Sequence, residues 1–208
     1  MKKSLFPLFV AFCCFLTVSK IYSFETLPEK YCISFGNSQA QVKIVEYFSL
    51  SCPKCITLIK RDFPYFLEKY VKSSQVFWVF HPDPADILTI QFLECLEKLS
   101  EKEKREFFKY VVEILPKTPS KKTVFEMQKV LAEWGRPIPH LHDLKFLEET
   151  ETFQSAFSYI KQEDAPKEIP TISINEEIKE AFPTHTFVEK EIQKVLEEKN
   201  PYRKGRLL

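Results

Sequence analysis

Residues 44–55 read Ile44-Val45-Glu46-Tyr47-Phe48-Ser49-Leu50-Ser51-Cys52-Pro53-Lys54-Cys55. The first five alternate as a strand does, with Ile44, Glu46 and Phe48 on one face and Val45 and Tyr47 on the other. Apolar residues on both faces indicate a central strand covered on each side. The residues that follow, Thr57-Leu58-Ile59-Lys60-Arg61, suit a helix, and Pro53 suits its first turn, where a missing N–H costs nothing. Cys52 then sits at a helix N-terminus and Cys55 one turn later. Unpaired amides at such an end favour a thiolate, so Cys52 is the expected attacking thiol and Cys55 the resolving thiol.

Outward from this stretch, Gln75–Phe80 is a second predicted strand, ended by His81-Pro82-Asp83-Pro84. Residues 24–40 read as polar and irregular. The first helix is expected to reach about Tyr70 with a bend at Pro64. From Ala85 to Lys161 the apolar spacing is helical. Ile87, Ile90, Leu93 (or Phe92) and Leu96 mark one stripe, and Phe107, Phe108, Val111 and Leu115 a second. Val124, Met127, Leu131 and Trp134 mark a third, and Phe153, Phe157 and Ile160 a fourth. Ser100 and Ser120 are candidate caps, Pro116 to Pro119 a break, and Gly135 a stop. Thr171–Ile174, a turn at Asn175-Glu176-Glu177 and Ile178–Phe182 read as an antiparallel hairpin, followed by a helix over about Thr186–Lys199. Sheet elements at both ends with helices between them predict an α/β domain carrying an all-helical insertion.

The totals set bounds. A chain of 208 residues that is 44% hydrophobic can bury a core. A net charge of +1 gives no electrostatic case for nucleic acid. Lys2 and Lys3 followed by an apolar run from Leu5 to Val18, with Ser19 or Ser23 before a cut, read as an export signal over residues 1–23. An uncleaved signal would instead leave a membrane anchor. Export places the chain where disulfides persist. Cys32, Cys52, Cys55 and Cys95 are too few for a disulfide-stapled scaffold.

Each candidate residue has a plainer alternative. The cysteine pair could be half of a zinc site, but no second pair with ligand spacing accompanies it, so neither metal nor cofactor is expected. Lys54 is either a solvated first-turn lysine or a cation that tunes the Cys52 thiolate. Glu46 is either a buried proton relay to Cys55 or a strand-edge carboxylate facing water. Pro170 either opens a strand or forms a cis bond that turns the Ile169 backbone toward an extended peptide. Cys95 reads as a buried inert thiol, Cys32 as similar, and His81 as a turn residue.

The run Glu46-Tyr47-Phe48-Ser49 with Cys52-Pro53-Lys54-Cys55, and Ile169-Pro170 118 residues after Cys52, resembles the DsbA-type thiol:disulfide oxidoreductases of the thioredoxin superfamily. The resemblance spans about Val42–Lys199. It implies a thioredoxin-like fold with a helical insertion. The chain is read as a first thioredoxin-like part over 24–84, the helical insertion over 85–162, a second thioredoxin-like part over 163–199 and a basic tail over 200–208. It implies a redox disulfide at Cys52 and Cys55, with Pro53, Ile169 and cis Pro170 at the substrate. It also implies folding secreted proteins as substrates, a membrane reoxidising partner of DsbB type and a bacterial periplasmic location. Lys54 stands where the best-known members carry histidine, which bears on oxidising strength. The short stretch before the first strand points to a monomer. The alternatives are an isomerase or reductase of the same fold, or a binding module or chaperone without catalysis.

Overall fold

The computed structural model describes residues 29–115, 121–137, 139–162 and 165–198. The expected export signal, the Pro116–Pro119 break, the Ser120 cap and the basic tail lie outside the described residues. A five-stranded sheet carries the fold. Its strands are β1 (Ile33–Phe35), β2 (Val42–Phe48), β3 (Val76–Pro82), β4 (Thr171–Ile174) and β5 (Glu177–Ala181). Their spatial order is β1-β3-β2-β4-β5. Only β2 and β3 run parallel, and the other neighbours are antiparallel. The predicted central strand is the middle of the sheet, and Glu46 lies opposite Phe80 on one side and Ile172 on the other.

Between β2 and β3 lie α1 (Pro53–Arg61), α2 (Phe63–Phe66) and a π turn, Leu67–Val71. The helical path does reach Tyr70, but it breaks at Asp62 rather than bending at Pro64. The proline ring crowds the carbonyl four residues earlier and offers it no N–H, so the helix opens ahead of the proline. Between β3 and β4 the chain forms α3 (Ile87–Glu97), α4 (Glu101–Ile114), α5 (Lys121–Glu133), α6 (Leu144–Glu149) and α7 (Glu151–Ile160). The last helix, α8, spans His185–Glu198. Ser100 caps α4 in a full capping box with Glu103. Gly135, at φ +65°, closes α5, with Arg136 N–H donating to Leu131 O at 2.8 Å.

Several expectations need correction. Residues 24–40 are not wholly irregular: Glu29–Tyr31 forms a 3₁₀ turn and β1 follows. A three-residue strand is too short to show a period, and it exists through its pairing with β3. β3 runs on through His81 and Pro82, because both still pair with β2, so His81 is a strand residue. The β4–β5 turn is only Asn175-Glu176, both at positive φ, as a two-residue hairpin loop demands. On α7 the buried residues are Thr152, Ala156 and Tyr159, while Phe157 and Ile160 are 48% and 45% exposed. Tyr31 Oη donates to Thr152 Oγ1 at 3.2 Å, which ties this face of α7 to the turn before β1. Ile87 and Trp134 are likewise exposed.

An aromatic cluster joins the sheet to the helices on the face that carries Glu46. Phe63 meets Phe80 edge-on at 4.7 Å and Phe35 at 5.0 Å. Phe80 also lies 4.7 Å from Phe108 of α4. Such ring pairs contribute about 0.5–1.5 kcal/mol each beyond the area they bury.

Candidate active site

Cys52 occupies the N-cap of α1, with extended backbone at φ −93° and ψ 107° and Pro53 in the first turn. Its sulfur accepts the Cys55 N–H at 3.2 Å, and its carbonyl accepts the Ile56 N–H at 3.1 Å. Cys52 is partly exposed, whereas Cys55 is fully buried. The thiol of Cys55 donates to the Cys52 sulfur, and this is the largest cause bringing Cys52 down to about 6. The Cys55 and Lys54 amides and the Lys54 charge add to it, while burial opposes them. The same hydrogen bond, with burial, drives Cys55 far above an ordinary thiol. The pair is thus split into a sulfur that ionises readily and one that keeps its proton.

Glu46 is fully buried. Burial raises it to about 8, although the hydrogen bond from Trp78 Nε1 at 3.1 Å works the other way; the charge of Asp62 adds to the rise. Its own charge is among the influences that hold the Cys55 proton in place. The inward-facing alternative for Glu46 is therefore the one the fold adopts. The Ile169–Pro170 bond is cis, and Ile169 O receives the Cys52 thiol at 3.8 Å. Along the first turns of α1 a groove of about 310 Å³ is lined by Pro53, Lys54, Leu58, Pro170 and Phe182, among others. Lys54 is exposed, and its ammonium lies 4.3 Å from the centre of the Phe182 ring.

All seven residues singled out in the sequence gather here: Glu46, Cys52, Pro53, Lys54, Cys55, Ile169 and Pro170. Three further residues were missed. Trp78 looks like ordinary core, and only the register of β3 against β2 brings its N–H to Glu46. Phe182 reaches Lys54 because its φ of +53° turns the chain after β5. Asp86, the N-cap of α3, binds the loop before Cys52; its only sequence signal was Asp before an apolar helix. His81 is buried between the rings of Tyr47, at 4.8 Å, and Tyr159, at 5.0 Å, and burial lowers it to about 4. Cys95 is fully buried and Cys32 partly so; burial raises Cys95 well above the usual thiol range and Cys32 to about 12, so both thiols keep their protons near neutral pH. Among the described residues no three His, Cys, Asp or Glu side chains gather into a metal-holding group.

A central βαβ unit, a C-terminal hairpin and helix, a helical block between them and a Cys-x-x-Cys at the first helix N-terminus define a thioredoxin-fold protein. A profile described as thioredoxin matches residues 29–197, and the chain belongs to the thioredoxin family. A search of curated proteins finds no match. Among solved structures the fold is similar to BdbD from Bacillus subtilis in its oxidised form, at 16% identity and a TM-score of 0.62, covering 83% of this chain and 96% of that one. It is also similar to Wolbachia pipientis alpha-DsbA1, at 16% identity and 0.59 over 83% and 94% of the two chains. Chlamydia trachomatis DsbA aligns at 16% identity and 0.53 over 82% and 94%. These likenesses place the helical block, as well as the sheet, within a DsbA-type architecture.

Proposed function

We propose that this chain is a protein thiol:disulfide oxidoreductase that passes a Cys52–Cys55 disulfide to folding exported proteins. The observation that carries the reading is the asymmetry of the two sulfurs: Cys52 is reachable and readily ionised, Cys55 buried and proton-holding. A substrate thiolate attacks the Cys52 sulfur. The bond to Cys55 breaks, and its electron pair leaves on the Cys55 sulfur, which takes up a proton. Glu46, with an affinity near neutrality and a charge felt at Cys55, supplies that proton and takes it back on reoxidation. A second substrate thiolate attacks the substrate sulfur of the mixed disulfide and releases Cys52 as a thiolate. The substrate has lost two electrons and two protons; the cysteine pair has gained the two electrons and, on Cys55, one proton, and the other proton has gone to water because Cys52 leaves as a thiolate. A readily ionised Cys52 is a good leaving group and stabilises the reduced pair, so the disulfide is oxidising.

Pro53, Ile169 and Pro170 form the face on which an extended substrate strand lies, and Lys54 adds positive charge beside the thiolate. The basic, then apolar, residues 1–23 support export to the periplasm, with reoxidation by a membrane partner of DsbB type. The reduction potential of the purified protein, measured against glutathione, tests the direction of transfer. A value well above that of thioredoxin, about −270 mV, is expected, and a value near it would make the chain a reductase. Oxidation of a reduced, unfolded cysteine-containing protein tests the enzyme itself: Cys52→Ser abolishes it, whereas a pure binding module would lose nothing.

A further inference from the structure

The loop between β2 and Cys52 is held from outside by one carboxylate. Asp86 Oδ2 accepts from the Ser49 hydroxyl at 2.5 Å and from the Thr89 hydroxyl at 2.7 Å. Its Oδ1 accepts from the Ser51 hydroxyl at 2.8 Å and from the Thr89 amide at 2.9 Å. The acceptors so fixed go on to bind the loop backbone. Ser49 Oγ accepts the Ser51 N–H at 3.0 Å, and Thr89 Oγ1 accepts the Leu50 N–H at 3.1 Å.

Ser49 then touches both sulfur-bearing residues. Its carbonyl accepts the Cys52 N–H at 3.2 Å, and its own N–H donates to the Cys55 sulfur. Four donors converge on Asp86, and each charge-assisted bond of this kind is stronger and shorter than a neutral one. Capping α3 requires only the Thr89 amide. The two serine hydroxyls go beyond that need.

We propose that Asp86 is a positioning residue for the redox reaction, holding Ser49 and through it the relative placement of the Cys52 and Cys55 sulfurs, so that the helical block is wired to the redox pair. The proposal rests on the redox reading of Cys52 and Cys55. The hydrogen bonds that favour the Cys52 thiolate depend on distance and direction. Releasing the loop weakens them without removing either cysteine.

The test compares the parent protein with Asp86→Ala and with the double variant Ser49→Ala/Ser51→Ala. The serine variants leave the Asp86–Thr89 cap of α3 in place, so they separate the loop tie from the helix cap. For each, the Cys52 thiolate is titrated by ultraviolet absorbance, the equilibrium constant with glutathione is measured, and the melting temperature is recorded. The expected result is an upward move of the Cys52 midpoint by about one unit and a fall in oxidising strength of about tenfold, equivalent to about 30 mV, in both variants. Should Asp86→Ala fail to fold, the serine pair alone decides. Serine variants that titrate and equilibrate like the parent overturn the proposal and leave Asp86 a helix cap. A parent protein whose Cys52 titrates near an ordinary thiol's ~8.5 overturns instead the redox reading beneath it.

Discussion

Cys52 and Cys55 are chemically identical side chains that the fold makes opposite. The Cys55 thiol is the largest influence holding Cys52 near 6, ahead of the α1 amides that the sequence pointed to. Cys55→Ala removes that donor and is expected to raise the Cys52 midpoint by roughly one unit, read by thiolate absorbance. An unchanged midpoint would return the whole effect to the helix end and Lys54. Glu46 supplies a second expectation. An ordinary glutamate ionises near 4.5, and burial raises Glu46 to about 8. Between those values the folded chain keeps a proton that the unfolded chain has released, so stability falls as pH rises through the window. Glu46→Gln is expected to abolish that fall and to stabilise the protein at pH 7 by at most a few kcal/mol. It should also slow the step in which Cys55 gains or loses its proton. Denaturation at pH 5 and pH 8, beside single-turnover kinetics, checks both.

At the scale of elements, local chemistry sets most boundaries. Ser100 and Glu103 satisfy each other's backbone at the start of α4: Ser100 N–H donates to Glu103 Oε2 at 2.9 Å, and Glu103 N–H donates to Ser100 Oγ at 3.5 Å. Ser100→Ala is expected to cost about 1 kcal/mol in urea denaturation and to leave the Cys52 titration unmoved, since the groups that lower Cys52, Cys55 and Lys54, do not belong to α4. Elements without a local signal were the ones missed. β1 has three residues and no visible alternation; Gly36 beside it, at φ +96°, turns where an added Cβ would come within 2.7 Å of Val76 O. The apolar stripe of α7 pointed to Phe157 and Ile160, but Thr152, Ala156 and Tyr159 are the residues that pack inward. Hydrophobicity marks what can be buried; the neighbour's shape decides what is.

For the whole molecule, the redox state and the stability are linked through the same sulfur. The reduced chain carries an ionisable Cys52, and the oxidised chain does not. The folded midpoint near 6 lies below the unfolded value of about 8.5, so between them the unfolded chain holds a proton that the folded chain lacks. The stability of the reduced form should therefore rise with pH across that window relative to the oxidised form, and lose this increment as pH falls through 6. Paired melting curves of the two forms at pH 5 and pH 8 measure it. A gap between the forms that does not change with pH would mean that Cys52 is an ordinary thiol.

The strand, the Cys-Pro-Lys-Cys turn, the helical block and the Ile169-Pro170 segment were legible from residue order, because alternation, helical spacing and proline are properties of neighbours in the chain. The helix N-terminus at Cys52 is likewise local. The tertiary structure alone decided which groups those residues would meet. It put the Trp78 indole on Glu46, the Ile169 carbonyl at the Cys52 sulfur and the Asp86 carboxylate under Ser49. These contacts join positions 32, 117 and 37 residues apart. No local pattern encodes such distances, since they arise only when the sheet sets its register and the helical block closes over the end of β2.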